Sequence, residues 1–139
     1  MVASLIESKV SETKTENIFR EFYEPNTFLE KSAIPDIYGF KSKKGTDYKG
    51  FPDFFLDKQS FAIIVEAKSL KHSSAEAEVK WYMENNLLDN GIIGIAISGQ
   101  ELSQIKVTYY YKETPQSDII PFHIKDKLLS LIHISEPTR

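Results

Sequence analysis

Apolar residues recur at helical spacing in two segments of the chain. In the first segment, the capping-box pattern Thr13-x-x-Glu16 precedes one apolar face, formed by Ile18, Phe19, Phe22 and Tyr23. In the second segment, the same pattern, Ser73-x-x-Glu76, precedes a face formed by Val79, Tyr82, Met83 and Leu87. The spacing therefore predicts two amphipathic helices, each beginning at a capping box.

Between and after these helices, apolar residues form segments of strand length, which cover residues 50–56, 61–68, 92–98 and 105–112. The first two flank the turn-like residues 57–60, and this arrangement predicts a β-hairpin. The third is apolar and rich in isoleucine, which is typical of a strand covered on both faces, and the last is expected at a sheet edge. The order of elements predicts one α/β domain with a mixed sheet flanked by helices.

Composition narrows the classes of protein that the chain can belong to. It has 139 residues, of which 41% are hydrophobic, enough to close a single core. The absence of cysteine excludes disulfides, thiolate zinc sites and cysteine nucleophiles. The net charge of -3 means that nucleic-acid binding would need a local basic patch. Apolar runs too short for a bilayer, and an N-terminus without a signal-peptide core, predict a cytoplasmic protein without membrane contact.

Two acidic residues face each other in the predicted hairpin. If the strands pair about the Gln59-Ser60 turn, Asp53 falls opposite Glu66, and opposed Cβ atoms lie only ~5 Å apart. Two carboxylates this close repel each other unless a cation lies between them. Because Mg²⁺ prefers oxygen ligands, the pairing predicts a metal site at Asp53 and Glu66.

A lysine shares the face of this acidic pair. Side chains alternate along a strand, so Lys68 projects with Glu66, while Ala67 points away and offers its backbone carbonyl to the metal. A cation and an ammonium together can polarise a phosphate and neutralise the charge that develops on it. The alternative is a solvated surface ion pair. The strongly apolar residues beside these charges favour the functional interpretation, because buried charges need a reason.

The segments Gly50-Phe51-Pro52-Asp53 and Val65-Glu66-Ala67-Lys68 resemble the PD…ExK signature of the restriction-endonuclease-like PD-(D/E)xK nuclease superfamily. The resemblance covers about residues 13–112 and implies an αβββαβ core. It also implies a Mg²⁺-dependent endonuclease that hydrolyses DNA phosphodiester bonds, with Mn²⁺ as a substitute ion and with 5′-phosphate and 3′-hydroxyl products. Asp53, Glu66 and Lys68 would be its catalytic residues.

A narrower resemblance is to the N-terminal nuclease domain of type I restriction R subunits and of fused restriction-modification enzymes with an N6-adenine methylase. In that group a glutamate on the first helix supports the metal site, which carries over to Glu16, with Glu12 and Glu21 as less favoured alternatives. A Gln-x-x-x-Tyr motif in the next helix corresponds to Glu78 and Tyr82, with glutamate in place of glutamine. The resemblance implies bacterial defence, a missing C-terminal methyltransferase or translocase, and a dimer on DNA.

Several other polar residues invite weaker predictions. Lys43, Lys44 and Lys49 precede the hairpin and could contact phosphates, although such a run is more often a solvated loop. The second Pro-Asp pair, at Asp36, has no apolar strand leading into the hairpin and is predicted to enter a loop. His72 has no ligand-like spacing and receives no metal or acid-base role.

The C-terminal residues call for a separate interpretation. Residues 129–139 resemble the translation of a transposase adapter used in preparing sequencing libraries, so we expect them to be artefactual. We therefore expect a nuclease domain in residues 1–128, truncated from a larger protein.

Two other functions fit the same sequence. One is a nucleic-acid-binding or scaffolding module that keeps the nuclease fold without cutting. The other is an unrelated α/β domain in which the charged strand ends are coincidental; Asp53 and Glu66 would then be free to point to opposite faces.

Overall fold

The computed structural model describes residues 12–43 and 49–122. Helix α1 includes residues 12–20 and helix α2 is His72–Glu84. The five strands are β1 (Phe54–Asp57), β2 (Phe61–Lys68), β3 (Gly91–Ser98), β4 (Lys106–Lys112) and β5 (Ile120–Phe122). The prediction of one mixed α/β arrangement is confirmed at this level. Lys44 and residues 123–139, with the predicted domain boundary and tail, lie outside the described residues.

The strands form one mixed sheet in the order β1-β2-β3-β4-β5. β2 and β3 are parallel, and the other neighbours are antiparallel. β1 pairs with β2 in the register Phe54↔Val65, and the hairpin closes where the Lys58 amide donates to the Phe61 carbonyl over 2.8 Å. This is the predicted register, fixed by a turn in which Gln59 has a positive φ of 70°.

The two helices cover opposite faces of the sheet. On one face, α2 packs Ala75, Val79 and Met83 against buried strand residues that include Ile64 and Ile92. On the other face, Phe19 of α1 packs against residues of the opposite parity, Phe54, Ile63, Val65, Ile93, Ile95 and Ile97. Both faces of β2 and β3 are therefore buried, as the isoleucine-rich pattern predicts. Neither described helix is long and apolar enough to cross a membrane.

Both predicted capping boxes are wrong. Residue 12 is already helical, so Thr13 lies inside α1, and α2 has Lys71 at its N-cap position without a side-chain cap hydrogen bond. Tertiary contacts outweigh the local capping signal, since the buried faces of both helices are held against the sheet. Correspondingly, Glu16 does not serve as a capping-box residue.

The ends of the predicted elements also differ in places. Phe22 and Leu87 are exposed because α1 and α2 end before reaching them, at residue 20 and at Glu84. β4 is not an edge strand, since β5 pairs with it. The αβββαβ core that the resemblance implies has a third strand before α2. Among the described residues, an isolated bridge takes its place, in which Leu29 and Phe55 exchange two 2.8 Å hydrogen bonds.

A buried hydrogen-bond junction fixes α1 against the ends of β2 and β3. The Thr15 hydroxyl donates to the Gly99 carbonyl over 2.6 Å, and the Gln100 side chain donates to both the Thr15 hydroxyl and the Ser69 carbonyl over 3.1 Å. Gly99 has a φ of 120°, and a Cβ there would lie 2.8 Å from the Gln104 carbonyl oxygen. Glycine is therefore required at the point where α1 meets the end of the sheet that carries Asp53, Glu66 and Lys68.

Candidate metal centre

The centre is built on the end of the β-hairpin. Asp53 directly precedes β1, and continuing the register by one residue places it opposite Glu66, which has the α2-facing parity of Ile64. The Asp53 amide donates to Glu66 Oε2 over 2.8 Å, and the Ala67 amide donates to Asp53 Oδ2 over 2.8 Å. Each carboxylate is thus anchored by a backbone amide of the opposite strand. The two amide contacts hold both acids at this end of the hairpin.

Burial makes this acidic pair electrostatically costly. Asp53 is only 9% exposed and Glu66 only 3%. Burial raises the pKa of Asp53 to about 6, and the charges of Glu16 and Glu12 add to the effect. Burial, followed by the charge of Asp53, raises the pKa of Glu66 well above its ordinary value. The anchoring amides favour the ionised forms but do not compensate, so a cation would relieve the repulsion.

Helix α1 adds two more carboxylates. Carboxylate oxygens of Glu12, Glu16 and Asp53 lie within 4.8 Å of one another. Ligand oxygens on opposite sides of a Mg²⁺ ion are roughly 4.2 Å apart, so these donors match the size and chemistry of a hard divalent cation. We call Glu12, Glu16, Asp53 and Glu66 the carboxylate cluster.

Glu12 and Glu16 reach the cluster because they lie four residues apart, on one face of α1. The resemblance implies a role for Glu16, with Glu12 as a less favoured alternative, and the structure places both at the site. The i,i+4 spacing is the signal in the sequence that could have placed Glu12 beside it.

Two basic residues that the sequence analysis did not single out contact Glu16. Lys31 Nζ lies 3.0 Å from Glu16 Oε2, and an Arg20 nitrogen lies 3.4 Å from Glu16 Oε1. Arg20 also binds Glu30. Lys31 has a φ of 50°, an unusual conformation for a residue with a side chain. The Arg20 pair has the i,i+4 spacing of a helix, which the sequence shows. Nothing in the local sequence points to the Lys31 pair, because Lys31 meets α1 only after the intervening loop has folded back.

Lys68 and its partner on α2 complete the site. Lys68 Nζ lies 2.8 Å from Glu78 Oε2, and the two side chains are 25% and 29% exposed. Burial lowers the pKa of Lys68, but the hydrogen bond and charge of Glu78, with the charges of Glu12 and Glu66, outweigh burial and raise it. The ammonium is therefore cationic and surrounded by carboxylates.

Tyr82 lies one helical turn beyond Glu78 and is buried. Burial raises the pKa of its hydroxyl, and the charges of Glu66, Glu78 and Asp53 add to the shift. Both positions of the Gln-x-x-x-Tyr resemblance thus face the carboxylate cluster. Ala67 contributes its amide to Asp53, and the use of its carbonyl as a metal ligand stays a prediction.

The basic segment before the hairpin is less closely engaged. Lys43 is exposed, and Lys49 forms an exposed ion pair with Asp36, with Nζ and Oδ2 2.9 Å apart. Such a pair contributes little to stability and releases easily. Asp36 begins a short 3₁₀ turn, Asp36–Tyr38, and forms no part of the carboxylate cluster, as predicted for the second Pro-Asp pair.

A second polar group lies on the α2 side of the sheet, beside β3 and β4. His72 Nδ1 lies 2.8 Å from the Ser98 hydroxyl and Nε2 lies 2.7 Å from the Thr108 hydroxyl, which donates to Glu76 over 2.8 Å. Since the Thr108 proton goes to Glu76, Nε2–H must donate to Thr108 and Nδ1 must accept from Ser98. We call His72, Glu76, Ser98 and Thr108 the hydroxyl network.

A cavity of 310 Å³ lies on the α1 side, between Phe19, Phe28 and Phe54, with Arg20 and Glu30 on its wall. Its lining includes neither Asp53 nor Lys68, so the candidate centre is a site at the sheet end and not this cavity. Comparisons of the chain with protein-family models, curated proteins and solved structures each found no match.

Proposed function

We propose that this chain is the nuclease module of a restriction-modification system and hydrolyses DNA phosphodiester bonds with Mg²⁺ as cofactor. The observation that carries the proposal is the buried, opposed pair of Asp53 and Glu66, anchored by backbone amides and close to the cationic Lys68. Phosphodiester hydrolysis requires concentrated positive charge at the scissile phosphate. This sheet end provides oxygen ligands for a metal ion beside an ammonium group.

The residues would divide the work as follows. Asp53 and Glu66, supported by Glu16 and Glu12, would hold the divalent ion, and Mn²⁺ is expected to substitute for Mg²⁺. When bound, the ion supplies Lewis-acid polarisation of the phosphate. Lys68 would donate hydrogen bonds to a phosphate oxygen and neutralise the charge that develops there.

In the proposed reaction, a water oxygen forms a bond to phosphorus while the bond from phosphorus to the 3′ oxygen breaks. The attacking water gives up one proton, and the leaving oxygen takes up one. The products would carry the 5′-phosphate and 3′-hydroxyl ends that the resemblance implies.

The DNA contacts of the proposal come from the segment before the hairpin. The exposed ammonium groups of Lys43 and Lys49, with Lys44 beside them in the sequence, would contact the backbone without reading bases. Target recognition would then come from the proposed C-terminal methyltransferase or translocase. Cutting both strands of a duplex would bring two copies together on DNA.

The test is Mg²⁺-dependent cleavage by the full chain. Supercoiled plasmid, single-stranded DNA and single-stranded RNA would be incubated with the parent protein and with Asp53→Ala and Lys68→Ala. Asp89→Ala and Lys58→Ala are matched controls, because these residues lie at the opposite end of the sheet. We expect nicking or cutting of DNA by the parent and both controls, and its loss in both site variants.

Metal binding is measured separately, from the thermal shift on adding Mg²⁺ or Mn²⁺. A folded parent that binds the ion but leaves all substrates intact would replace the proposal with the non-cleaving module. A folded parent that neither binds the ion nor cuts would remove the metal-centre interpretation as well.

A further inference from the structure

The ion pair between Lys68 and Glu78 joins the last residue of β2 to the middle of α2. Its 2.8 Å length and the limited exposure of both side chains distinguish it from pairs such as Lys49 with Asp36, whose side chains are 71% and 66% exposed. Water screens a half-buried pair less than an exposed one. The pair is therefore able to fix the position of the Lys68 ammonium.

Among the described residues, Lys68 has one ion-pair partner, Glu78, and lies within the electrostatic influence of other acidic residues. Its ammonium interacts electrostatically with Glu12 and Glu66 as well as with Glu78. The lysine side chain has four rotatable bonds, so without Glu78 the ammonium would be free to turn into the carboxylate cluster. There it would no longer be in place for the scissile phosphate.

The structure around Glu78 is rigid enough for this role. The neighbouring Val79 is fully buried, and Met83 packs so closely on β3 that a Cβ at Gly94 would lie 2.4 Å from its sulfur. At the start of α2, His72 binds the Ser98 hydroxyl, and Ser98 is the register partner of Lys68 on β3. Glu78 is therefore carried by a helix that is fixed to the strand beside Lys68.

We propose that Glu78 is a positioning residue that holds the Lys68 ammonium away from the carboxylate cluster and in place for the scissile phosphate. The inference rests on the proposed nuclease function. It gives the glutamate at this position a definite task, since a carboxylate binds an ammonium more strongly than the amide of glutamine does.

The test compares single-turnover cleavage by the full chain with Glu78→Ala, Glu78→Gln and a matched control, Glu84→Ala. Glu84 is also on α2 and also faces a lysine, Lys112, at 3.8 Å. We expect Glu78→Ala to slow cleavage about 10- to 100-fold at saturating DNA, the effect of losing a charge-assisted hydrogen bond. Glu78→Gln should lose less than about fivefold, because its amide oxygen still accepts from the ammonium.

Two further measurements separate positioning from a structural or metal-binding role. The Mg²⁺ concentration for half-maximal cleavage and the KM for DNA should change less than about twofold in Glu78→Ala, since positioning acts on the chemical step. In the metal-free protein, the ¹⁵N order parameter of the Lys68 ammonium should fall in Glu78→Ala and stay near the parent value in Glu84→Ala.

Parent-like cleavage by Glu78→Ala, or an unchanged Lys68 order parameter, would overturn the inference. A loss of Mg²⁺ affinity equal to the loss of rate would also overturn it, because Glu78 would then act at the metal. If the parent itself does not cut, the proposed function fails and the catalytic part of the inference falls with it. If instead the parent cuts DNA and all Glu78 variants remain as active as the parent, the proposed function stands and only the inference on Glu78 fails.

Discussion

The carboxylate cluster and the hydroxyl network lie at the same end of one sheet, but their polar groups are satisfied differently. In the hydroxyl network, the hydrogen bond from Thr108 lowers the pKa of Glu76, and burial lowers the pKa of His72. Its donors and acceptors match one another in a continuous chain. In the carboxylate cluster, burial instead raises the pKa values of Asp53 and Glu66.

The difference separates side chains that stabilise the fold from side chains that cost stability. Residues selected for folding find complementary partners, whereas a site for a cation must gather like charges before the cation arrives. If this is correct, substitutions in the two regions should have opposite effects on stability, and only those in the carboxylate cluster should strongly reduce cleavage.

The largest expected effect is that of Asp53→Asn. Loss of a proposed metal ligand should reduce cleavage about a thousandfold or more, while removal of a buried negative charge should raise the free energy of unfolding of the metal-free protein. Single-turnover assays and urea denaturation in EDTA measure the two quantities. The exposed Asp89→Asn serves as control. A variant that is both inactive and less stable in EDTA would contradict the comparison.

The dependence of stability on pH should reveal the free-energy cost of the buried charge on Asp53. The folded-state pKa of Asp53, about 6, is above the ordinary value of 3.8, so the native state holds this proton more tightly than the unfolded state. The contribution of Asp53 to stability is therefore largest at low pH and is lost as pH rises from about 4 to about 6.

The measurement is the difference in unfolding free energy between Asp53→Asn and the parent, in EDTA, across this pH range. The difference should grow in favour of Asp53→Asn by about 3 kcal/mol, since one pKa unit corresponds to about 1.4 kcal/mol. A difference that stays constant with pH would show that Asp53 does not carry this charge cost.

Adding a divalent ion should offset the loss of stability caused by the carboxylate cluster. It should leave the contribution of the hydroxyl network to stability unchanged. At about 100 times its dissociation constant, Mg²⁺ or Mn²⁺ should stabilise the parent by about 2.7 kcal/mol. The shift in melting temperature should disappear with EDTA and in Asp53→Asn, and should persist in Thr108→Val. Equal stabilisation of all three proteins would mean that the ion binds elsewhere.

The smallest expected effect is that of Thr108→Val in the hydroxyl network. This substitution leaves His72 and Glu76 without their shared partner and should destabilise the protein by about 1 to 2 kcal/mol. Cleavage by the folded fraction should fall less than about threefold, because Thr108 contacts none of Asp53, Glu66 or Lys68 through the hydrogen bonds described. Ser73→Ala, at an exposed position on α2, is the control. Increased stability in Thr108→Val would contradict the comparison, because the hydroxyl network would then cost stability as the carboxylate cluster does.

The sequence by itself determined the centre of the candidate site. The alternation of β2 and the short turn that precedes it fix the pairing of Asp53 with Glu66 and place Lys68 on the face of Glu66. These relations are short-range, since a strand has a period of two and a hairpin turn sets its own register. The isoleucine-rich segment likewise predicted a strand covered on both faces, which β3 is.

Only the tertiary structure decided what surrounds that centre. Glu16 and Glu12 reach Asp53 because Thr15 binds Gly99, a residue 84 positions away, and Glu78 reaches Lys68 because α2 packs across the sheet. The capping boxes misled for the same reason. Local hydrogen bonds contribute about 1 kcal/mol, whereas burying an apolar helix face contributes several, so packing determines where each helix begins and which charges meet.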